Sequence, residues 1–381
     1  METLFEYCLN LEGLSRHFSK HAAGVVISDR PVLEYVPLTV DRKLGTIMTQ
    51  WAGPYLEDLG LLKMDYLGLR TLTIIDKCTQ FIEAAGGEVP DLLDGDQDDP
   101  KVYELLNNGD TQGIFQLESG GMRKLISRQK PDCFADLVAL LALFRPGPLD
   151  AGMDDLFVNR KHGREPIAYG HPVLEGILEE TYGCIVYQEQ VMRISSDLSG
   201  FTLAEADNLR KAMGKKKPEI MEKFSAQFVE GAVKNGCDEH VAQQIWENIF
   251  KFGGYGFNKS HSAAYALITY QTAFLKANFR TAFMAANLSC EMGDSDKVKS
   301  LVDDCHRASI EITPPDVSQS LWEFQPRGAE TIQFGLGAIK GVGSKAVVAM
   351  LEGRKNWEHQ NPDSPSSEMG LHELCSMVDP G

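Results

Sequence analysis

Between Pro100 and Arg307 the chain reads as one helix after another, and this succession limits its fold more than any other feature. Apolar residues recur at helical spacing over Pro100–Asn107, Gly120–Arg128, Cys133–Leu143, Glu189–Leu198, Leu203–Met213, Pro218–Asn235, Glu239–Phe252, His261–Phe279 and Asp294–Arg307. Pro146-Gly147-Pro148 and Gly253-Gly254-Tyr255-Gly256 read as breakers between them. Residues 1–20 read as a short amphipathic helix and a turn, and Thr71–Ala85 as a helix closing at Gly86-Gly87. The β-like segments are short and lie towards the ends of the chain: Gly24–Ile27, Leu61–Leu67 and Thr331–Phe334. A helix to about Gly353 follows the last of them, and the Pro-, Ser- and Gly-rich tail after Trp357 is expected to be partly disordered. The predicted fold class is α+β, mostly helical.

The chain has 381 residues, room for two or three domains. Its longest apolar run, Leu137 to Phe144, is far too short to span a bilayer. The N-terminus is acidic where a signal peptide is basic, so a cytoplasmic protein is expected. The cysteines never fall in a C-x-x-C pair, which removes a zinc-finger reading and leaves buried free thiols in a reducing compartment. The formal net charge of −17 argues against nucleic acid if taken as a sum. The charge is segregated, however: acid concentrates at Asp91–Asp110 and base at Arg210–Lys223, and a phosphate track needs only a local patch.

Four segments carry chemistry. On a strand, Lys63 and Asp65 point to one face, which suits a site for a divalent cation and a phosphate; an exposed ion pair reads equally from spacing alone. Arg210-Lys211-Ala212-Met213-Gly214-Lys215-Lys216-Lys217-Pro218 reads as a helix end stopped by Gly214 and a basic crossing to the next helix, either a phosphate cradle or a solvated turn. In Phe252–Tyr265, glycines permit close approach, Tyr255, Phe257 and Tyr265 offer stacking faces, and Lys259 and His261 suit phosphate. Ser260 is the expected helix cap; the competing reading is a turn with its aromatics packed inward. Finally, Gly341-Val342-Gly343 before a helix can aim backbone N–H groups at a DNA phosphate, or serve as a structural hairpin.

In order and in detail these segments resemble one family, the alpha subunits of bacterial DNA polymerase III, which are the C-family replicative polymerases. The resemblance runs from about Leu11 to about Arg354 and rests on long strings. These are Lys20–Ile27, Lys63-Met64-Asp65-Tyr66-Leu67-Gly68-Leu69-Arg70-Thr71-Leu72, Gly113–Ser119, Leu143-Phe144-Arg145-Pro146-Gly147-Pro148-Leu149, Tyr187–Met192, Arg210–Pro218 and Tyr255–Tyr265. It implies a connecting helix at the end of a thumb-like region (1–20), the C-terminal part of a polymerase-beta-type palm (21–80), fingers (81–310) and a strand with a helix-hairpin-helix (311–356), before the tail (357–381). The implied activity is template-directed extension of a DNA primer by deoxynucleoside triphosphates with two Mg2+ ions. Asp65 falls on one of three catalytic, metal-holding aspartates and Lys63 on an active-site lysine. The implied nucleotide-binding residues are Lys63, Arg210, Lys211, Lys215, Asn258, Lys259, Ser260, His261 and Tyr265. Those facing DNA are Lys216, Lys217, Gly341, Gly343 and Lys345. Primer–template DNA, deoxynucleoside triphosphates, a sliding clamp and a proofreading subunit are the implied partners, with no membrane.

One departure is large. The family's other two catalytic aspartates lie together in a Pro-Asp-x-Asp-x-Asp type motif, upstream of the matching region, and no such string occurs here. One carboxylate does not make a two-metal site, so these residues are expected to need a missing upstream polymerase segment and to be inactive alone. The alternatives are a non-catalytic DNA-binding fragment or remnant, and, more distantly, an unrelated phosphate-binding enzyme.

Overall fold

A computed structural model describes residues 2–14, 20–21, 23–41, 45–215, 218–362 and 370–377. It is mostly helical with small sheets, as the periodicity predicts, and divides into two compact units, Met1–Leu69 and Arg70–Gly381.

The first unit holds two α-helices, Glu2–Leu11 and Gly53–Asp58, and four short strands: β1 (Gly24–Ile27), β2 (Leu38–Val40), β3 (Ile47–Thr49) and β4 (Leu62–Asp65). β1 pairs antiparallel with β4, placing Gly24 opposite Asp65 and Val26 opposite Lys63, while β2 and β3 form a hairpin. The core is small: Val36, Leu56 and Leu61, covered by Val26, Val32, Tyr35 and Leu38. The strand expected over Leu61–Leu67 is therefore shorter, because Leu61 turns into this core; Tyr66 still donates its N–H to Ala23 at 2.9 Å.

The second unit packs around three apolar clusters. In the first, the apolar run becomes the helix Phe134–Leu143, buried nearly all round against the long helix Lys259–Asn278, with Pro100–Asn107 and Gly120–Gln129 beside them. The second gathers Pro172–Leu178, Gln188–Ser199, Leu203–Lys215, Pro218–Lys234 and Glu239–Gly253 around Phe228 and Trp246. The third joins Ile74, Cys78 and Ile82, one face of the helix Arg70–Ala84, to Phe283 and Leu288 of Arg280–Cys290 and to a sheet ordered β5 (Glu311–Thr313), β7 (Thr331–Gln333), β6 (Gln325–Pro326).

Several boundaries differ from expectation for identifiable reasons. The helix expected over His261–Phe279 begins at Lys259 and ends at Asn278; Phe279, at φ −134° and ψ 45°, breaks the path before a separate helix, Arg280–Cys290. Pro146 opens a short helix, Pro146–Asp150, because proline suits the first helical turn, where its missing N–H has no helical partner to lose. The helices Met153–Lys161 and Pro172–Leu178 were not expected. Gly214 does not stop its helix, which runs to Lys215. The helix Ser344–Gln360 continues beyond Gly353, with Trp357 buried, and Leu371–Met377 forms one more. Residues 363–369 and 378–381 of the expected tail lie outside the described residues. No helix among the described residues is long and apolar enough to cross a membrane.

Candidate functional site

The β1–β4 pairing builds the first site. Lys63 and Asp65 share a face, and the Lys63 Nζ lies 2.7 Å and 2.9 Å from the two Asp65 carboxylate oxygens. His21 approaches the same carboxylate, its Nδ1 3.7 Å from Oδ1, and also accepts the N–H of Ala23 at 3.2 Å. All three side chains converge over Gly24, where a Cβ would stand 2.9 Å from Lys63 Cε, 3.0 Å from Asp65 Oδ1 and 3.0 Å from His21 Nδ1. A side chain at position 24 would break this convergence. The hydrogen bond from Lys63 holds the Asp65 carboxyl below the ordinary carboxylate range, so it is ionised at neutral pH. Substituting Lys63 by methionine should raise the Asp65 titration midpoint towards that range, as followed by carboxyl NMR; an unmoved midpoint would show that the lysine does not set it.

As a metal site this constellation is incomplete. Asp65 is a hard oxygen ligand with a partly exposed carboxylate, but a magnesium ion takes about six oxygen ligands, and Lys63 holds both oxygens offered here. Among the described residues the one His, Cys and carboxylate cluster with metal-like spacing is Asp132, Cys133 and Asp136. Lys161 already occupies it, bonded to Asp132 at 2.9 Å and to buried Asp136.

The second site is a cleft of about 750 Å3 in the helical unit, lined by Phe115, Arg145, Phe257, His261 and Tyr265 among others. Phe257 is fixed by a two-bond bridge: its N–H donates to Val186 O at 3.0 Å and its carbonyl accepts from Gln188 N–H at 2.9 Å. Asn258 then caps the helix Lys259–Asn278, its side chain accepting the His261 N–H at 2.8 Å. His261 and Tyr265, one turn apart, stack with ring centroids 4.3 Å apart, and Tyr265 lies 5.2 Å from Phe115. Phe115 is itself pinned to that helix, donating its N–H to Thr272 and accepting from the Thr269 hydroxyl, each at 3.2 Å. The Arg145 guanidinium lies 4.4 Å from the Phe257 ring centroid and donates to the carbonyls of Tyr255 at 2.7 Å and Ala142 at 2.8 Å. Burial lowers its pKa, yet an arginine remains cationic at neutral pH. Three aromatic rings, an imidazole and a cation bonded to carbonyls thus face one cleft, a lining that suits a base and a phosphate.

The expected nucleotide-binding residues distribute unevenly. His261 and Tyr265 line the cleft, and Asn258 rather than Ser260 caps the helix; Ser260 is exposed. The amide of Asn258 reaches further because its side chain also donates to Glu189 at 3.0 Å. The Lys259 amine turns to Glu180, with both oxygens at 2.7 Å. Arg210 and Lys211 share Asp207, at 2.8 Å and 2.7 Å, and Arg210 reaches Gln188 Oε1 at 3.4 Å, next to the Phe257 bridge. The Lys215 side chain, and Lys216 and Lys217 entirely, lie outside the described residues. Gly341 takes φ +89°, and the N-terminus of Ser344–Gln360, with Gly343 as its cap and Lys345 exposed, is open to solvent. Gly335 and Gly337 serve packing instead, since a Cβ on Gly337 would stand 2.7 Å from the Trp322 ring. Sequence reasoning singled out neither His21 nor Gly24 for the first site, nor Phe115 and Arg145 for the second. Only Arg145, a cation closing an apolar run, carried a visible signal.

Comparison with known proteins identifies the family. Residues 1–68 match the bacterial DNA polymerase III alpha NTPase domain, residues 71–236 match the bacterial DNA polymerase III alpha subunit finger domain, and residues 309–368 match a helix-hairpin-helix motif. DNA polymerase III subunit alpha of Aquifex aeolicus is 49% identical over 358 residues, covering 94% of this chain and 31% of that protein. The Escherichia coli K12 subunit of the same name is 48% identical over 388 residues, 100% of this chain and 33% of its own length. That of Helicobacter pylori 26695 is 46% identical over 380 residues, 97% and 31% respectively. The chain thus spans about a third of the length of these relatives. Two domains of a single subunit account for more than half of its residues, and the relatives match nearly all of them, so the chain belongs to the family of bacterial DNA polymerase III alpha subunits.

Proposed function

We propose that this chain contributes to a DNA-directed DNA polymerase of bacterial replication, in the cytoplasm, and supplies one palm carboxylate, the nucleotide-binding fingers and a contact to the DNA backbone. The first unit carries Asp65 and Lys63 as palm residues, residues 81–310 of the helical unit are the fingers, and Gly341, Gly343 and Lys345 of its helix-hairpin-helix face a DNA phosphate. Asp65 would hold one of two magnesium ions, which would supply activation of the primer hydroxyl and neutralisation of the triphosphate. The paired aspartates that complete the site come from a polypeptide segment beyond these residues. Primer–template DNA and deoxynucleoside triphosphates are the substrates; a sliding clamp and a proofreading subunit are the further partners.

The observation that carries this reading is the aromatic cleft with Arg145 at its wall. Phe115 and Tyr265 offer ring faces to a base, and Arg145, which bonds two carbonyls and lies over the Phe257 ring without a carboxylate partner among the described residues, keeps its charge for phosphate. Arg210 lies one hydrogen bond from the Phe257 bridge through Gln188, Lys211 shares Asp207 with it, and exchange of Asp207 for a triphosphate would free both.

Binding of a fluorescent deoxynucleoside triphosphate to the purified chain tests this. Arg145→Ala should weaken it about tenfold, the worth of a desolvated cation–π and phosphate contact. Unchanged affinity in a folded variant would remove the cleft from nucleotide binding. The 381-residue chain alone should not extend a primed template with magnesium and all four nucleotides. Extension that Asp65→Ala abolishes would mean that other carboxylates of this chain complete the metal site.

A further inference from the structure

A second, smaller cleft of about 530 Å3 opens in the helical unit and shares no lining residue with the aromatic one. Arg123, Arg280 and Arg307 line it, together with Asp110, Asp304 and Gln112. Behind three of these lining residues lies Lys276, fully buried, whose amine bonds Asp110 at 2.6 Å, Asp304 at 2.9 Å and the Gln112 carbonyl at 2.8 Å. Each oxygen of the two carboxylates thereby has a cationic partner: Asp110 also accepts from Arg280, and Asp304 from Arg307 at 2.8 Å. Each of these arginines gives one nitrogen to its carboxylate, and among the described residues the rest of the fork remains for a further acceptor. Arg123 is held by neutral acceptors, the Thr111 hydroxyl and the Gln112 side-chain carbonyl, both at 2.9 Å. No carboxylate pairs with it among the described residues.

The charge count favours an anion. Arg123, Lys276, Arg280 and Arg307 face Asp110 and Asp304, and even with exposed Asp303 beside Arg307 the cations exceed the carboxylates. This happens in a chain whose net charge is −17. Helix ends explain it only in part: Arg307 closes Ser295–Arg307, where a cation suits the dipole. Arg280 is the first residue of Arg280–Cys290, the end at which a cation opposes the helix dipole and free N–H groups welcome an anion. The two helices that end at the cleft close their last carbonyls on their own N–H groups. Gly109 and Asp110 donate to Leu106 and Leu105, and Ala308 and Ile310 donate to Asp304 and Cys305.

We propose that this cleft is a phosphate-binding subsite, in which Arg123, Arg280 and Arg307 receive a phosphate of a nucleic-acid strand. That the phosphate belongs to a strand rests on the polymerase reading; that it is a phosphate rests on the cleft. The buried lysine sets the geometry: it anchors both carboxylates, which in turn hold two guanidinium groups at fixed positions.

Arginine-selective labelling with phenylglyoxal, read by mass spectrometry on the full chain, tests the proposal. Labelling is compared for the free chain, with primed DNA and with inorganic pyrophosphate, while fluorescence anisotropy records DNA binding. Arg280 and Arg307 should lose labelling with DNA, and exposed Arg193 should not. The double variant Arg280→Gln/Arg307→Gln should flatten the slope of log K against log salt by roughly 1.4–1.8, about 0.7–0.9 per cation. Protection by DNA but not by pyrophosphate identifies a strand as the source; protection by pyrophosphate keeps the phosphate site and assigns it to free phosphates as well. DNA bound in anisotropy with neither arginine protected, or with the slope unchanged in the variant, overturns the proposal and leaves the polymerase reading standing. Pyrophosphate protection without any DNA binding keeps the site and removes the strand. Failure of both ligands removes both. Should the double variant not fold, labelling of the unmodified chain decides.

Discussion

In a polymerase that joins these residues to the paired aspartates, Asp65→Ala should abolish nucleotide incorporation while leaving DNA binding nearly intact. The loss should be at least on the order of 10²–10³-fold in single-turnover rate, the scale on which one preorganised charge is missed in a transition state. The expectation of intact binding comes from packing. Asp65 is exposed and ends β4, whereas the unit's core is made by Val36, Leu56 and Leu61. Strand pairing with β1 is made by backbone groups that alanine retains. The substitution also releases Lys63, whose amine would then face solvent without its carboxylate. Asp65→Asn distinguishes charge from shape: it keeps the volume and a hydrogen-bonding oxygen but not the negative charge, and should be nearly as inactive. If DNA affinity, measured by anisotropy, falls in parallel with the rate in either variant, Asp65 organises the unit rather than the chemistry.

How far such sites are legible before a structure exists depends on whether local sequence decides them. Lys63 and Asp65 were legible because strand period two puts i and i+2 on one face, whatever else the fold does. His21 was not, since its approach to Asp65 depends on the antiparallel register that sets Gly24 opposite. His261 and Tyr265 were legible at helical spacing i, i+4, but Phe115, which completes their stack, comes from a loop about 150 residues earlier and is placed by two threonine hydroxyls of the same helix. Helix existence followed from apolar period, so most of the succession from Pro100 to Arg307 was predictable. Helix ends followed from capping and tertiary packing. Glycine at 214 weakens a helix by about 1 kcal/mol, less than the buried contacts of Leu209 and Met213 on the same helix contribute. The competition between Asn258 and Ser260 for the cap was settled by Glu189, whose carboxylate takes the Asn258 amide and the Lys259 N–H and so fixes where the helix starts.

The buried lysine was invisible in sequence for the same reason, and it carries the second large expected effect. Lys276 lies on a helix whose apolar neighbours pack the core, and its partners come from Asp110 and Asp304, far apart along the chain. Lys276→Met keeps the stem's volume but leaves two acidic groups beside each other with only Arg280 and Arg307 to offset them. Removing one partner of a buried ionic network costs about 3–5 kcal/mol, so urea unfolding of the helical unit should shift by that order. Adding Asp304→Asn to Lys276→Met should recover a large part of the loss, because the unpaired charge is then gone; no recovery would mean that packing, not charge, accounts for it. The acid limb gives a third check. Burial pushes the Asp110 carboxyl up, but its bonds to Lys276 and Arg280 outweigh that and hold it below the ordinary range. A carboxyl with a depressed folded pKa adds stability that is complete above its unfolded value of about 4 and is lost as pH falls through the folded one. Lys276→Met removes part of that depression, so the variant should lose less stability between neutral pH and acid than the parent does. An equally steep acid limb in both proteins would show that Lys276 does not hold Asp110 ionised.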